Sequence, residues 1–324
     1  MQNRRLGYFS IIMCAVIFST MEVALKTVSG VFSPLQITAL RFLIGGTCLI
    51  PFALHSLKKR GRKLEGKDVF FFLGEGLLCV ALSMVFYQLG VQYSPASVVA
   101  VVFSSNALFT TIFAGLILKE PLGKQHFIAL GLEVIAILLI VDPAHRQLDP
   151  RGIACALIGA VFFALYGVGG RRKSMQYGSI TVSCGSMLFG SLLLISLILI
   201  GRIPAVSSAL KSGSLSILAD IPLFKGIPAS ALPTLLYVGL VVSAIGYVFH
   251  MLGFENTSAR EGALVFFIKP MLAPVFALIF LKEEIPPIMW AGIVLFLIGA
   301  GIAIGLIPLP GKKKEQEESG EENE

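Results

Sequence analysis

Six ionisable side chains, Glu22, Lys26, Arg41, Glu75, Glu133 and Lys269, stand inside long apolar stretches of this 324-residue chain. In a bilayer core each would cost at least about 2.5 kcal/mol, so each needs a partner or a task. Glu22 and Lys26 are four apart, on one face of a helix and in the favourable glutamate-first order. Arg41, on the next apolar run, falls at a similar depth and is within reach of Glu22. These three read either as a buried ion pair locking two helices, with Lys26 reaching out to the interface, or as groups that meet a ligand or a proton directly. Lys269 lies near the middle of its run and is followed by Pro270 and Pro274, which remove two helical donors and free carbonyls near positions 266 and 270. A cation beside broken helix suits a carboxylate or other anion; the alternative is a lysine paired with an internal glutamate. Glu75 and Glu133 lack evident partners, and an isolated buried carboxyl can load and unload a proton near neutral pH. Glu75 is also close enough to the end of its run to face water.

Chemistry of other kinds finds no support. His55, His126, His145 and His250 are scattered, and there is no HExxH, GxSxG or phosphate-binding loop. Cys14, Cys48, Cys79, Cys155 and Cys184 all fall in apolar runs, odd in number and without metal-ligand spacing, and read as small buried residues. No catalytic group, cofactor or metal is expected.

The elements that position these residues must cross a membrane. Hydrophobic residues make up 56% of the chain, charged ones 14%, and mean hydropathy is +0.85, whereas a water-soluble domain carries roughly a quarter charged residues. Runs of the roughly 20 residues needed to span a bilayer recur at about 6–28, 34–55, 68–92, 95–118, 124–141, 151–171, 178–201, 231–254, 259–281 and 287–308. The net charge of +7 does not imply nucleic acid, because the cations sit in short clusters between the runs. With the N-terminus inside, Lys58, Lys59, Arg60, Arg62, Lys63, Lys67, Arg171, Arg172, Lys173 and Lys312 to Lys314 are cytoplasmic, joined by Lys119 and Lys124. The opposite face has Arg146, Arg151, Arg202, Lys211 and Lys225. Both termini are therefore expected on the cytoplasmic side of the cell membrane, and the sequon at Asn256 should carry no glycan. The long external loop, about 202–230, has an apolar patch from Ile217 to Phe224 suited to the membrane surface.

The chain also repeats itself. At an offset of about 163, Ala96, Ala100, Val102, Phe103, Phe113, Ala114, Leu118, Lys119 and Glu120 fall on Ala259, Ala263, Val265, Phe266, Phe276, Ala277, Leu281, Lys282 and Glu283. Leu89-Gly90 falls on Leu252-Gly253, Tyr87 on His250 and Asn106 on Lys269; nearer the start Lys26 aligns with Arg171. A repeat unit of five spans must enter the membrane from the opposite side in its second copy. Inverted repeats of this kind characterise secondary transporters, whose halves rock around a midplane site. The expected fold is an all-α polytopic membrane protein of ten transmembrane helices in two inverted five-helix repeats, 1–145 and 146–308, with a disordered charged cytoplasmic tail at 309–324.

Arg41-Phe42, the Leu-Gly-x-x-Tyr-Ser stretch at Leu89 to Ser94, and Leu-Lys-Glu at both Leu118 to Glu120 and Leu281 to Glu283 resemble both halves of the EamA-type drug/metabolite transporters over about residues 6–308. The resemblance implies a ten-helix bundle around a central cavity and movement of amino acids, related metabolites or drugs. Glu22, Lys26 and Lys269 depart from the usual pattern. Lys269, Asn106, Glu22, Arg41, Tyr87, His250 and Tyr166 are the expected substrate contacts, with Gln88 and Tyr247 behind them; Glu22, Glu75 and Glu133 are the expected coupling groups. Without a phosphate-binding loop, uphill movement would draw on an ion gradient, with protons first in line. A nucleotide-sugar or phosphate carrier shares the architecture but would find few midplane cations beyond Lys269, and a membrane-embedded enzyme or scaffold would need a cluster the chain lacks. The expected partners are a small-molecule substrate and membrane lipid. Gly131, Gly292 and Gly299 would let helices approach closely, within the bundle or in a homodimer.

Overall fold

Ten apolar helices follow one another: α1 (Arg4–Thr27), α2 (Pro34–Lys59), α3 (Gly66–Tyr93), α4 (Ala96–Leu118), α5 (Lys124–Val141), α6 (Pro150–Tyr177), α7 (Ser179–Ile200), α8 (Ala229–Asn256), α9 (Ala259–Leu281) and α10 (Pro287–Ala303). Among the described residues the first nine are long and apolar enough to cross a membrane, and α10 is shorter at 17 residues. The structure, a computed structural model, describes residues 3–120, 123–142, 147–212, 216–224, 226–262, 264–303 and 307. The tail at 309–324, His145, Arg146 and Lys225 lie outside them.

Local chemistry sets the boundaries. Ser33 and Gln36 form a capping box ahead of Pro34, and Asp149 caps α6 ahead of Pro150. Lys119 and Lys282 adopt the left-handed conformation, φ 56° and 54°, which stops α4 and α9 at equivalent points. The clearest difference from the expected boundaries is at α6, which continues to Tyr177. Arg171 and Lys173 are helical there, and ion pairs to Glu120 at 3.6 Å and Asp68 at 2.7 Å draw them inward. Those contacts outweigh the chain's freedom to become a loop.

Contacts between helices obey the exchange of each helix with the one five places on. α1 packs on α8 and α9, as α6 packs on α3 and α4; α2 packs on α8, as α7 packs on α3. The pairs α2 with α7, α4 with α9 and α5 with α10 map onto themselves. In the last of these a Cβ on Gly292 would stand 2.9 Å from the Ala136 carbonyl, and one on Gly299 3.1 Å from Leu132 Cβ, so both glycines serve packing within the chain. Gly131 faces away, with nothing within 4 Å.

The apolar patch of the external loop does not lie flat on the membrane. Ile221 and Leu223 are buried in the core, and Gln36 Nε2 donates to the Leu223 carbonyl at 3.3 Å. Folding back removes apolar area from water and satisfies a buried amide together; Ile217 and Phe224 remain exposed. Lys211, 2.5 Å away, and Ser207 hold the Asp220 carboxyl below its ordinary value.

Candidate functional site

Two of the long helices are interrupted, and a third carries internal prolines, close to the residues singled out above. α1 breaks at Thr20, whose amide and hydroxyl both turn to the Ile17 carbonyl, 3.2 and 2.7 Å away; Glu22 follows two residues on. α4 breaks at Ser105, immediately before Asn106. α9 keeps Pro270 and Pro274 inside its helix, directly after Lys269. α3 and α8 carry π-helical segments, Leu77–Met84 and Tyr237–Gly246, before Tyr87 and His250. π-segments recur at functional sites because the extra residue re-aims the side chains around it.

Glu22 and Lys269 form an ion pair, with side chains 1% and 0% exposed. The Lys269 ammonium also lies over the rings of Phe103 and Tyr87, 5.0 and 5.3 Å from their centroids, and the Tyr87 hydroxyl is within electrostatic reach of Glu22. Of the two readings of Lys269, the pairing with an internal glutamate is therefore realised, and it ties α1 to α9. The expected contact of Glu22 with Arg41 is replaced, while Lys26 turns toward the interface as expected. Lys26 does not meet Glu22; its ammonium donates to the carbonyls of Val91 and Ser94 at 2.8 and 2.9 Å, because these free acceptors at the end of α3 can be reached without leaving the interface. Arg41 is not ion-paired among the described residues, since Lys269 already neutralises Glu22.

The Arg41 guanidinium is fully buried, 4.5 Å from the Phe42 ring centroid, and donates from Nη1 to Met21 Sδ at 3.4 Å. Its Nε and Nη2 have no hydrogen-bond partner. The Tyr87, Tyr166 and Tyr247 hydroxyls and both His250 ring nitrogens are also buried without a hydrogen-bond partner among the described residues. Tyr247 and Tyr87 are within electrostatic reach of Arg41. Aromatic rings fill the space between these polar tips: Phe163 lies 5.7 Å from Tyr247 and 5.0 Å from His250, and Tyr166 stacks on His250 at 6.2 Å. Buried polar groups in folded proteins are almost always hydrogen-bonded, so a concentration of unsatisfied ones marks a place built for something else.

Not every expected residue joins this cluster. Asn106 donates to the Ala160 carbonyl at 2.8 Å and accepts from Thr110 at 3.3 Å, so its amide ties α4 to α6 and does not face Lys269. Glu133 lies between α5 and α10, lining a small cavity with Thr111, His126 and Phe267, and its Oε2 has no partner. Glu75 is 5% exposed, beside Gly169 and Gly170 of α6 and within electrostatic reach of Tyr166, at the edge of the cluster.

Sequence reasoning gave no task to the carboxylates at the helix ends. Glu283 accepts from the Ala96 amide at 2.8 Å, the Ser97 amide at 3.0 Å and the Ser97 hydroxyl at 2.7 Å. Its repeat equivalent Glu120 lies 3.4 Å from the Ala259 amide and pairs with Arg260 at 3.2 Å and Arg171 at 3.6 Å. The signal was present in the paired Leu-Lys-Glu stretches, but which helix start each would reach depends on the packing of the halves. Glu255, which joins Arg60 at 2.6 Å and caps α7 at Ser179, carried no repeat signal at all.

Membrane-length helices related by exchange of halves, around a buried cluster of charged and unsatisfied groups, define a polytopic membrane transporter. The chain belongs to the EamA-like transporter family, whose signature matches residues 5–142 and again 150–305. An uncharacterized transporter of Clostridium kluyveri is 34% identical over 303 residues, 91% of each chain. The threonine/homoserine exporter RhtA of Escherichia coli is 25% identical over 83% of this chain and 80% of its own. An S-adenosylmethionine uptake transporter of Rickettsia bellii is 24% identical over 80% and 89%. A crystal structure covering 93% of this chain and 96% of its own superposes with a TM-score of 0.66 at 18% identity, a likeness of fold.

Proposed function

We propose that this transporter is a secondary carrier that moves an amino acid or related carboxylate-bearing metabolite across the cytoplasmic membrane by alternating access of its two five-helix halves. The observation that carries the reading is Arg41: a fully buried guanidinium that, among the described residues, has no carboxylate in ion-pair contact and has Nε and Nη2 unsatisfied. An uncompensated buried cation is strongly unfavourable, and a substrate carboxylate, bound bidentately, is the anion whose geometry a guanidinium fits. Glu22 and Lys269 supply the complement: a substrate ammonium competes with Lys269 for Glu22, and the surrounding rings accept an apolar body. The two named relatives support the same class, since threonine, homoserine and S-adenosylmethionine all carry an α-amino-acid group. Proton coupling fits a carboxylate whose partner is exchangeable.

Flux of labelled amino acids in proteoliposomes, with and without a pH gradient, tests the reading. Arg41→Gln should abolish flux of carboxylate substrates while the protein still purifies as a folded species. Undiminished flux in that variant overturns the assignment of Arg41 as the carboxylate anchor.

A further inference from the structure

The Leu-Lys-Glu ends form two equivalent closures, one at each end of the cluster. At one end Glu283 holds the first amides of α4 at Ala96 and Ser97, while Lys26 holds the Val91 and Ser94 carbonyls where α3 ends. At the other, Glu120 holds the start of α9 at Ala259, while Arg171 donates to the Phe254 and Thr257 carbonyls, at 3.3 and 3.1 Å, where α8 ends. Every participant is displaced onto its counterpart by the repeat: Glu120 and Glu283, Ala96 and Ala259, Val91 and Phe254, Ser94 and Thr257, Lys26 and Arg171. The exchange of halves thus puts the same device at both ends of the bundle, where an opening of either end must break it. Both closures are made at once here, and Arg41, Tyr87 and Lys269 between them are 0% exposed.

We propose that Glu120 and Glu283 are the gate carboxylates of this carrier, each releasing the other half's helix start when the site opens toward its own side. This rests on the transport reading above. The two closures differ in make-up: Glu120 pairs with Arg171 and Arg260 beside the Ala259 amide, whereas Glu283 accepts from the Ala96 and Ser97 amides and the Ser97 hydroxyl while Lys26 donates to the carbonyls nearby.

Native thiols beside the cluster report access without any substrate. Cys79 and Cys14 are 0% exposed and within electrostatic reach of Arg41 and Lys269 respectively. In protein with Cys48, Cys155 and Cys184 changed to serine, reconstituted in sealed liposomes of known orientation, a membrane-impermeant methanethiosulfonate is applied from each side. Glu120→Gln should raise the labelling rate on the order of tenfold from the Glu120 face alone, as expected when the equilibrium between two access states shifts by that factor. Glu283→Gln should raise it from the opposite face alone. A rise on both faces, or on neither, overturns the proposal and leaves these carboxylates as static caps. If Glu120→Gln does not fold, Arg260→Gln, which leaves the Ala259 contact in place, is read by the same criterion. Side-specific labelling with no amino-acid flux would keep the gates and discard the substrate assignment, so the two failures are distinct.

Discussion

Lys269 is a buried charge whose partner was visible only in three dimensions. Removing one member of such a pair leaves the other uncompensated, at a cost of about 3–5 kcal/mol, whereas replacing both by groups of similar volume is often neutral. Lys269→Met should therefore lower thermal stability in detergent markedly, and Glu22→Gln with Lys269→Met should regain most of it; equal losses in the single and double variants would show that the pair is not coupled. The same comparison separates structure from transport, because the stable double variant should still fail to move amino acids if Glu22 meets the substrate ammonium. The sequence singled out the right side chains here, since any charge inside an apolar run stands out. It did not disclose their partners. Glu22 is 247 positions from Lys269 but only four from Lys26, and spacing along one helix favours the near neighbour. Tertiary packing brings α9 against α1 and decides for the distant one.

At the scale of elements, the π-segments do what regular helix could not. A segment at Leu77–Met84 and another at Tyr237–Gly246 occupy matching places in the two halves, each just ahead of a buried, unsatisfied side chain, Tyr87 or His250. In α3 the segment is held by Ser83, whose hydroxyl donates to the Gly159 carbonyl of α6 at 2.8 Å. A Cβ on Gly159 would stand 3.0 Å from the Ser83 carbonyl and 3.2 Å from the Tyr87 amide, tighter than ordinary contact. Gly159→Leu should thus cost about 1–3 kcal/mol by overpacking and shift Tyr87, lowering flux, while Gly131→Leu, with open space around it, should change neither. Thermal unfolding and liposome flux of the two variants check this, and full flux in Gly159→Leu would deny the π-segment a part in transport. The spans themselves were legible because lipid forces backbone groups to pair within each helix, so an apolar run of sufficient length has only one way to cross. The π-segments were not, since one extra residue in a turn leaves an all-apolar run looking the same from every side.

Across the whole molecule the two ends of the bundle differ in charge, and the difference predicts an orientation. One end gathers Arg60 with Glu255, Lys173 with Asp68, Arg171 and Arg260 with Glu120, and Arg4 with Glu261. The other has Arg151 with Asp149, Lys211 with Asp220, and Lys26 on its carbonyls. Many cations at the first end are neutralised by carboxylates, but orientation follows lysine and arginine while acidic residues contribute little. The surplus without an ion pair among the described residues, with Lys58 and Lys59 exposed at the end of α2 and Arg62 and Lys63 exposed just after it, lies at the same end. That end should be cytoplasmic, which also places Glu120 inside and Glu283 outside. In otherwise cysteine-free protein in intact cells, Lys211→Cys should react with an impermeant maleimide directly, and Lys63→Cys only after permeabilisation. The reverse pattern would invert the molecule in the membrane. It would also place Glu283 inside and Glu120 outside, exchanging the sides from which each gate variant exposes the thiols beside the cluster.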